Sequence, residues 1–444
     1  MYVDTKKQPI AEETLKNIFL INEETNQVYI SIEDIAKLVG YEYYNGGYGT
    51  EETNKCYLDN KKEVAGFEGG TSQLYKADSI SNIQSYDWYT LEEPVKAMGG
   101  KLYASSGSIE KACNLVFKYN TEKNRIEILT LPYLISVYEP IVINNFEFAG
   151  IDSEYKNQKA LLQNMIVVKK VDGKTNDKKI IYKYGVISID GKQILGPKYE
   201  KLEYIEIAND FYTTIDGKMG IMSHEGAQKI QPNYDEIKVI DNDLRLYYVK
   251  NGNMCGVLDK DGQRVVYLEY NKVGVDATLF PFNEIRNSML LYDNCIPVMK
   301  NNKWGIFDIK GDLIVSNVYD NLGYIEGARK ESATNNLLLI PEIQGIVVCR
   351  ENKYGIVNST GKTLVTPVCD KIYGSKNLGV NIYYVEYNGN TYELNQFLKT
   401  MVQNTGDMVE DNTQLNPIEN VTGPTNPNVY VDTPVPTQNV QYTY

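Results

Sequence analysis

Two glycines set six residues apart recur five times along this 444-residue chain, as Gly185/Gly191, Gly220/Gly226, Gly256/Gly262, Gly305/Gly311 and Gly355/Gly361. Each pair sits in one hydrophobic frame. The residue before the first glycine is Tyr184, Met219, Cys255, Trp304 or Tyr354, and eight positions past the second stands Tyr199, Tyr234, Tyr270, Tyr319 or Cys369. A polar residue follows at once (Glu200, Asp235, Asn271, Asp320, Asp370), and two positions later an apolar one (Leu202, Ile237, Val273, Leu322, Ile372). Such self-similarity outranks other local signals, because a repeat buries its apolar face only by stacking on its neighbours. First glycines are 35, 36, 49 and 50 residues apart, so the surplus residues around 278–287 and 327–336 are expected to project as loops.

Each unit reads as short antiparallel strands. In Tyr354–Val365 two β-rich runs flank a polar bend whose glycine suits a positive φ, and Asp190-Gly191 and Asp261-Gly262 are stronger hairpin signals. A third strand precedes the hairpin, as in Leu246–Val249, Ile296–Met299 and Ile346–Cys349. The five second glycines are therefore expected to share one conformation with φ > 0. Trp304 is expected to be a buried anchor, since its slot accepts Tyr, Met and Cys. Residues 382–392 read as a half-repeat that caps the array. The expected fold is mainly β with a small α+β N-terminal domain, the repeats at 165–395 forming an open β-solenoid, with a β-propeller as the alternative.

The run Lys303-Trp304-Gly305-Ile306-Phe307, with Lys183, Lys218 and Lys353 at the equivalent lysine and Met254 departing from it, resembles the bacterial WG-repeat family. The resemblance covers 165–395 and implies a repeat module without catalytic residues.

A different module precedes the array. After an arm at 1–16, residues 17–132 contain a duplication. Val28–Ser31 runs into Ile32–Gly40, and Leu102–Ser105 runs into Ser106–Asn114. In both, a strand ends at a capping serine, a helix follows (Ile35/Leu38/Val39 or Ile109/Ala112/Cys113 inward), and Gly40 or Asn114 supplies a left-handed stop. This resembles the copper amine oxidase N-terminal-like stalk domain, which implies a spacer module common on exported proteins. Residues 133–164 read as a connector.

Residues 396–444 read as a disordered acidic tail. From 400 onward it holds five of the fifteen prolines and neither Lys nor Arg, and its end, 428–444, is regular enough for a docking segment. The net charge of −13 argues against nucleic-acid or anionic-membrane partners. Neither a bilayer-spanning apolar run nor a signal-peptide core is present, so the default compartment is cytoplasmic, with extracellular or virion-associated as the alternative.

Chemistry-bearing residues have bland explanations. His224, the one histidine, lies in a loop where other repeats carry Ile189, Lys260, Ile309 or Ser359, which removes a Ser/His/Asp triad and a His-rich metal site. Gly355–Thr363 has five residues between its glycines and a strand after them, where a phosphate-binding loop needs four and a helix. Asp259-Lys260-Asp261-Gly262 lacks the acids at 257 and 268 of a calcium loop. The six cysteines show no CxxC spacing and read as buried small hydrophobes. No catalytic, cofactor-binding or metal residue is singled out and no cofactor is implied. The expected function is non-catalytic: protein–protein interaction through the repeat array, with carbohydrate or cell-envelope binding, or a phage or surface assembly role, as alternatives.

Overall fold

The computed structural model describes residues 1–403 apart from 23–26, 47–53, 81–86, 121, 124, 242–245, 284, 286, 327–333 and 378. The chain is mainly β; among the described residues its small sheets are antiparallel but for the pairing of Tyr2–Val3, and none closes into a barrel. It divides into two compact units, Met1–Gly252 with Asp259–Gln263, and Asn253–Leu258 with Arg264–Tyr444.

The first unit opens on the duplicated motif. Ser31 caps the helix Ile32–Val39 by accepting from the Asp34 amide, and Gly40 ends it at φ +78. Ser105 caps Ser106–Cys113 through the Ser108 amide, and Asn114 ends that helix at φ +53. The strands feeding them pair antiparallel, Ile30 opposite Ala104. Ile32, Ile35, Ala36, Ile109, Ala112 and Cys113 then enter one core. Between the copies lies a five-stranded meander from Glu42–Asn45 to Asp87–Thr90, built on buried Phe67 and Leu74, which the strand-helix motif did not announce. The expected arm at 1–16 is part of this module. Tyr2–Val3 pairs in parallel with the strand Arg125–Thr130, and the Asp4 carboxylate accepts from the Thr130 amide and hydroxyl. The expected connector is structured too: Thr130 caps the helix Leu131–Asn145, and Gly150–Ile151 pairs with Met165–Lys174, so the first repeat sheet begins before 165.

The repeat sheets are four-stranded meanders rather than hairpins with one added strand. The first runs Gly150–Ile151, Met165–Lys174, Ile180–Ser188, Gln193–Tyr199; the second Lys201–Ile205, Asp210–Ile215, Lys218–Ser223, Gln228–Tyr234. The hairpin Glu236–Asp241/Leu246–Asn251 completes the first unit's repeats. In the second unit, Met254–Leu258 pairs with Arg264–Tyr270, followed by the sheet Lys272–Val273, Cys295–Lys300, Lys303–Asp308, Leu313–Tyr319. Next come Asn321–Leu322, Gly345–Arg350, Lys353–Asn358 and Thr363–Cys369, with Leu339–Ile340 also paired to Gly345–Arg350. The apolar residue after each polar cap thus starts a new sheet, and the glycine-bearing hairpin forms strands three and four.

The half-repeat at the end is a three-stranded sheet, Lys371–Asn377, Val380–Tyr387, Asn390–Glu393, closed by the helix Leu394–Gln403. Phe397 of that helix is fully buried against Tyr387 and Tyr392. Residues 396–403 of the expected tail belong to this helix, and the rest of it, 404–444, lies outside the described residues.

Candidate functional site

The two glycines have different jobs. Between strands three and four the register jumps. Tyr184 faces Tyr199 while Val186 faces Leu195, and the same shift recurs at Met219/Tyr234, Trp304/Tyr319 and Tyr354/Cys369. The fourth strand bulges toward the first glycine, as strand glycines often allow. A Cβ on Gly185, Gly220, Gly256, Gly305 or Gly355 would stand 2.5–2.7 Å from the carbonyl oxygen of Leu195, Ile230, Val266, Val315 or Val365. The second glycines, Gly191, Gly226, Gly262, Gly311 and Gly361, all have φ between +75 and +96. Four also meet the preceding repeat: their Cβ would lie 2.8, 2.6, 3.0 and 2.3 Å from the carbonyls of Ile194, Lys229, Val265 and Ile314. Gly191, with no repeat before it, meets the Phe146 ring instead.

Three residues before each second glycine stands a side chain that fastens the turn. Ser188, Ser223, Asp259, Asp308 and Asn358 accept from the amides of Lys192, Ala227, Gln263, Asp312 and Lys362. This Ser/Asp/Asn position stands at a fixed spacing in the sequence. It also shows what Asp259 does: its carboxylate is engaged by the Asp261 and Gln263 amides.

The residue before the first glycine and the tyrosine of the frame are cross-strand partners. Where one is Cys the other is Tyr (Cys255 with Tyr270, Tyr354 with Cys369), so the pair shares one volume. Trp304 is not the buried anchor expected. It is half-buried, opposite Tyr319, with the Lys272 ammonium 5.5 Å from its ring.

A second pairing at fixed spacing runs through the frame. The lysine preceding the aromatic slot meets the polar cap seventeen residues on: Lys183–Glu200 at 3.7 Å, Lys218–Asp235 at 2.6 Å, and the pairs Lys303–Asp320 and Lys353–Asp370. The cap's other oxygen accepts a turn amide of the following hairpin, from Gly217 to Glu200, Gly252 to Asp235 and Glu351 to Asp320. In the one repeat where lysine is Met254, the cap is the uncharged Asn271, which still accepts from the Asn301 amide. The lysine bond, with the turn amide second, holds Asp235 and Asp320 below the usual carboxylate range.

The two insertions are not independent loops. Asn283 accepts from the Leu338 and Leu339 amides and donates to the Leu339 carbonyl. Buried Asn336 donates to the Leu279 carbonyl and accepts from the Glu326 amide. Phe280 and Phe282 are buried beneath them, where Gly323 and Gly374 leave room for the two rings. The described parts of the insertions thus meet over two buried clusters, one with Phe280 and Leu338 and one with Phe282 and Leu337, leaving Asp276, Thr278, Pro281, Pro341 and Glu342 at the surface. Residues 327–333 of the second insertion lie outside the described residues.

The first unit contains the strongest electrostatic feature. Lys76 lies 2.6 Å from Glu206 and 3.6 Å from Glu63, and Lys159 lies 2.6 Å from Glu63 and 2.7 Å from Glu206, closing a four-membered ring of charges. Both lysine side chains are buried, at 2% and 6% exposure. Burial raises Glu206, but the two ammonium groups outweigh it and leave the carboxyl below its usual range; Lys159 is raised because Glu206 and Glu63 overcome the cost of burial. Glu63 and Lys76 come from the N-terminal meander, Lys159 from the expected connector and Glu206 from the second repeat sheet's first turn. Beside it, Ile207 packs on the N-terminal core. The ring fastens module to repeats. A charge-neutral, mutually satisfied set of this kind offers no unpaired acid or base for chemistry.

His224 is exposed beside Glu225, and all six cysteines are buried free thiols. Among the described residues no three His, Cys, Asp or Glu side chains gather in a metal-binding group.

A model of the WG containing repeat matches residues 354–390. The match spans strands three and four of one sheet and strands one and two of the next, so the sequence repeat straddles the structural one. No curated protein sequence matches the chain. Similar solved structures include a eukaryotic initiation factor, at 11% identity over 84% of this chain and 83% of that one, with a TM-score of 0.25. PorZ, a surface component of the type-IX secretion system of Porphyromonas gingivalis, is 10% identical over 76% of this chain and 37% of its own, with a TM-score of 0.17. The Neurospora crassa Pan2 WD40 domain is 9% identical over 80% of this chain and 89% of its own, with a TM-score of 0.19.

Proposed function

We propose, with the WG repeat at 354–390 as the premise, that this chain is a non-catalytic interaction scaffold whose repeats hold a binding surface made by the two interlocked insertions. The observation that carries this reading is the tie across the insertions: Asn283 in the first accepts from the Leu338 and Leu339 amides just past the second, and Asn336 of the second donates to the Leu279 carbonyl of the first. A pre-organised, repeat-specific surface on a constant frame is how repeat arrays gain specificity. Among the described residues Asp235, Asp259, Asp308 and Asp320 hold turns and the six thiols are buried, which supports a structural use for these groups. The N-terminal duplication, by its resemblance to a stalk module, fits a spacer. No described helix is long and apolar enough to cross a membrane.

The test is a photo-crosslinking residue placed at exposed Thr278 or Glu342, with Lys310 on a frame turn as the control. One protein species captured at the first two and not at the third, and then bound by the purified chain, is the expected result. Hydrolysis of a substrate abolished by one carboxylate substitution would overturn the non-catalytic reading. Tyr267, 57% exposed with the Arg264 guanidinium 5.3 Å from its ring, favours glycan stacking as the second reading. Oligosaccharide binding lost in Tyr267→Ala would establish it.

A further inference from the structure

The hairpin joining strands two and three is a two-residue turn in several repeats, as at Asp216-Gly217 between Ile215 and Lys218, or Asn301-Asn302 between Lys300 and Lys303. In the first repeat the equivalent pair is Lys170 and Lys183, and twelve residues, 171–182, lie between them. The surplus forms a two-stranded ribbon. Among the described residues no third strand reaches it, since Gly150–Ile151 pairs only with Val168 and Lys169, and the fourth strand joins at Tyr184.

The ribbon's chemistry is opposite to that of the rest of the chain. Residues 169–183 carry six lysines and two aspartates, net +4, so the remaining residues carry −13 − 4 = −17. Among the described residues Lys170, Lys174 and Lys178 have no ion-pair partner, whereas Lys179 meets Asp177 and Lys183 meets Glu200. Apolar side chains are exposed among these lysines: Val171 at 51%, Ile180 at 47% and Ile181 at 39%. Val171 and Ile180 share a face with Tyr182, over which Lys169 lies at 5.7 Å. An unpaired basic strand edge with exposed apolar residues is a template for another chain.

The complementary composition occurs in this same sequence. Residues 407–419 carry Asp407, Glu410, Asp411 and Glu419, no base, and the apolar Met408, Val409, Leu415 and Ile418. We infer that the 169–183 ribbon is a self-association site that takes the acidic-apolar segment 407–419 of a second copy. Carboxylates would meet the unpartnered lysines while the apolar side chains cover Val171 and Ile180. This goes beyond the proposed partner surface, which lies on other residues.

The experiment mixes isotopically light and heavy full-length chains, treats them with a zero-length carbodiimide that joins lysine to carboxylate, and maps the links by mass spectrometry. Light–heavy links from Lys170, Lys174, Lys178 or Lys179 to 407–419 are expected, with self-association in sedimentation that weakens as salt is raised. Replacing those four lysines by Glu is expected to weaken association by about tenfold or more. Combining that variant with one carrying Lys at 407, 410, 411 and 419 should restore it. Links confined to single copies, links to carboxylates outside 407–419, or unchanged association of the Glu variant would overturn the inference. So would ribbon-dependent binding of a polyanion such as heparin by a chain that stays monomeric.

Discussion

At the scale of single residues, a glycine is required here by backbone, by space, or by both. Gly361 has φ +82, and a Cβ there would lie 2.3 Å from the Ile314 carbonyl. Gly361→Ala is expected to destabilise the second unit by about 1–3 kcal/mol in urea unfolding. Gly196, without positive φ and with no neighbour nearer than 3.5 Å, is the control, and its Ala variant should fall within about 0.5 kcal/mol of the parent. Trp304 tests the half-buried slot. Truncation of a fully buried Trp costs about 3–5 kcal/mol; Trp304→Ala is expected to cost about 1–3 kcal/mol because part of the ring is already in water. A loss above that range would restore the buried-anchor reading.

At the scale of elements, the lysine–cap–turn link is the repeated fastening between one sequence repeat and the next. Asp235 and Asp320 have depressed folded pKa values, so their contribution is present above the unfolded value near about 3.9 and is lost as pH falls through the folded one. Acidification should therefore lower the protection of the Glu351 amide, its exchange measured against the intrinsic rate at the same pH. In Lys303→Met/Asp320→Asn, which copies the natural Met254/Asn271 pair, that acid dependence should vanish while the amide stays protected at neutral pH. An unchanged acid response in the double variant would remove the role given to Asp320. The insertions make the opposite kind of link, few and specific. Asn283→Ala leaves the Leu338 and Leu339 amides without their acceptor and is expected to cost about 1–3 kcal/mol. Deleting 278–287 should likewise destabilise the second unit rather than leave its fold intact, because Phe280 and Phe282 would go with it.

At the scale of the first unit as a whole, the charge ring of Glu63, Lys76, Lys159 and Glu206 holds the N-terminal module to the repeats. Removing either lysine leaves one ammonium to face two carboxylates. Lys159→Met is expected to cost about 3–5 kcal/mol in thermal or urea unfolding, because Lys76 alone is then left to balance Glu63 and Glu206. A Lys159→Met chain as stable as the parent would show that the ring is ornamental to the joint and that Ile207 packing suffices.

The sequence by itself determined whatever depends on neighbours a few residues apart: five frames, positive φ at every second glycine, the serine caps of two helices, the aromatic slots. Its period also announced stacking, because a half-buried strand pair cannot stand alone. The Lys–cap pairing was legible too, at a spacing of seventeen, once Met254 is seen to travel with Asn271. What the tertiary structure alone decided are contacts whose partners share no period. The first strand of each later sheet belongs, in sequence, to the previous repeat's frame. Asn283 finds Leu338 across 55 residues, and Lys76 finds Glu206 across 130. The physical reason is the same in each case: local pattern fixes which face of a strand is apolar, but which other segment covers that face, and which buried charge needs which counter-charge, is set only when the sheets are stacked.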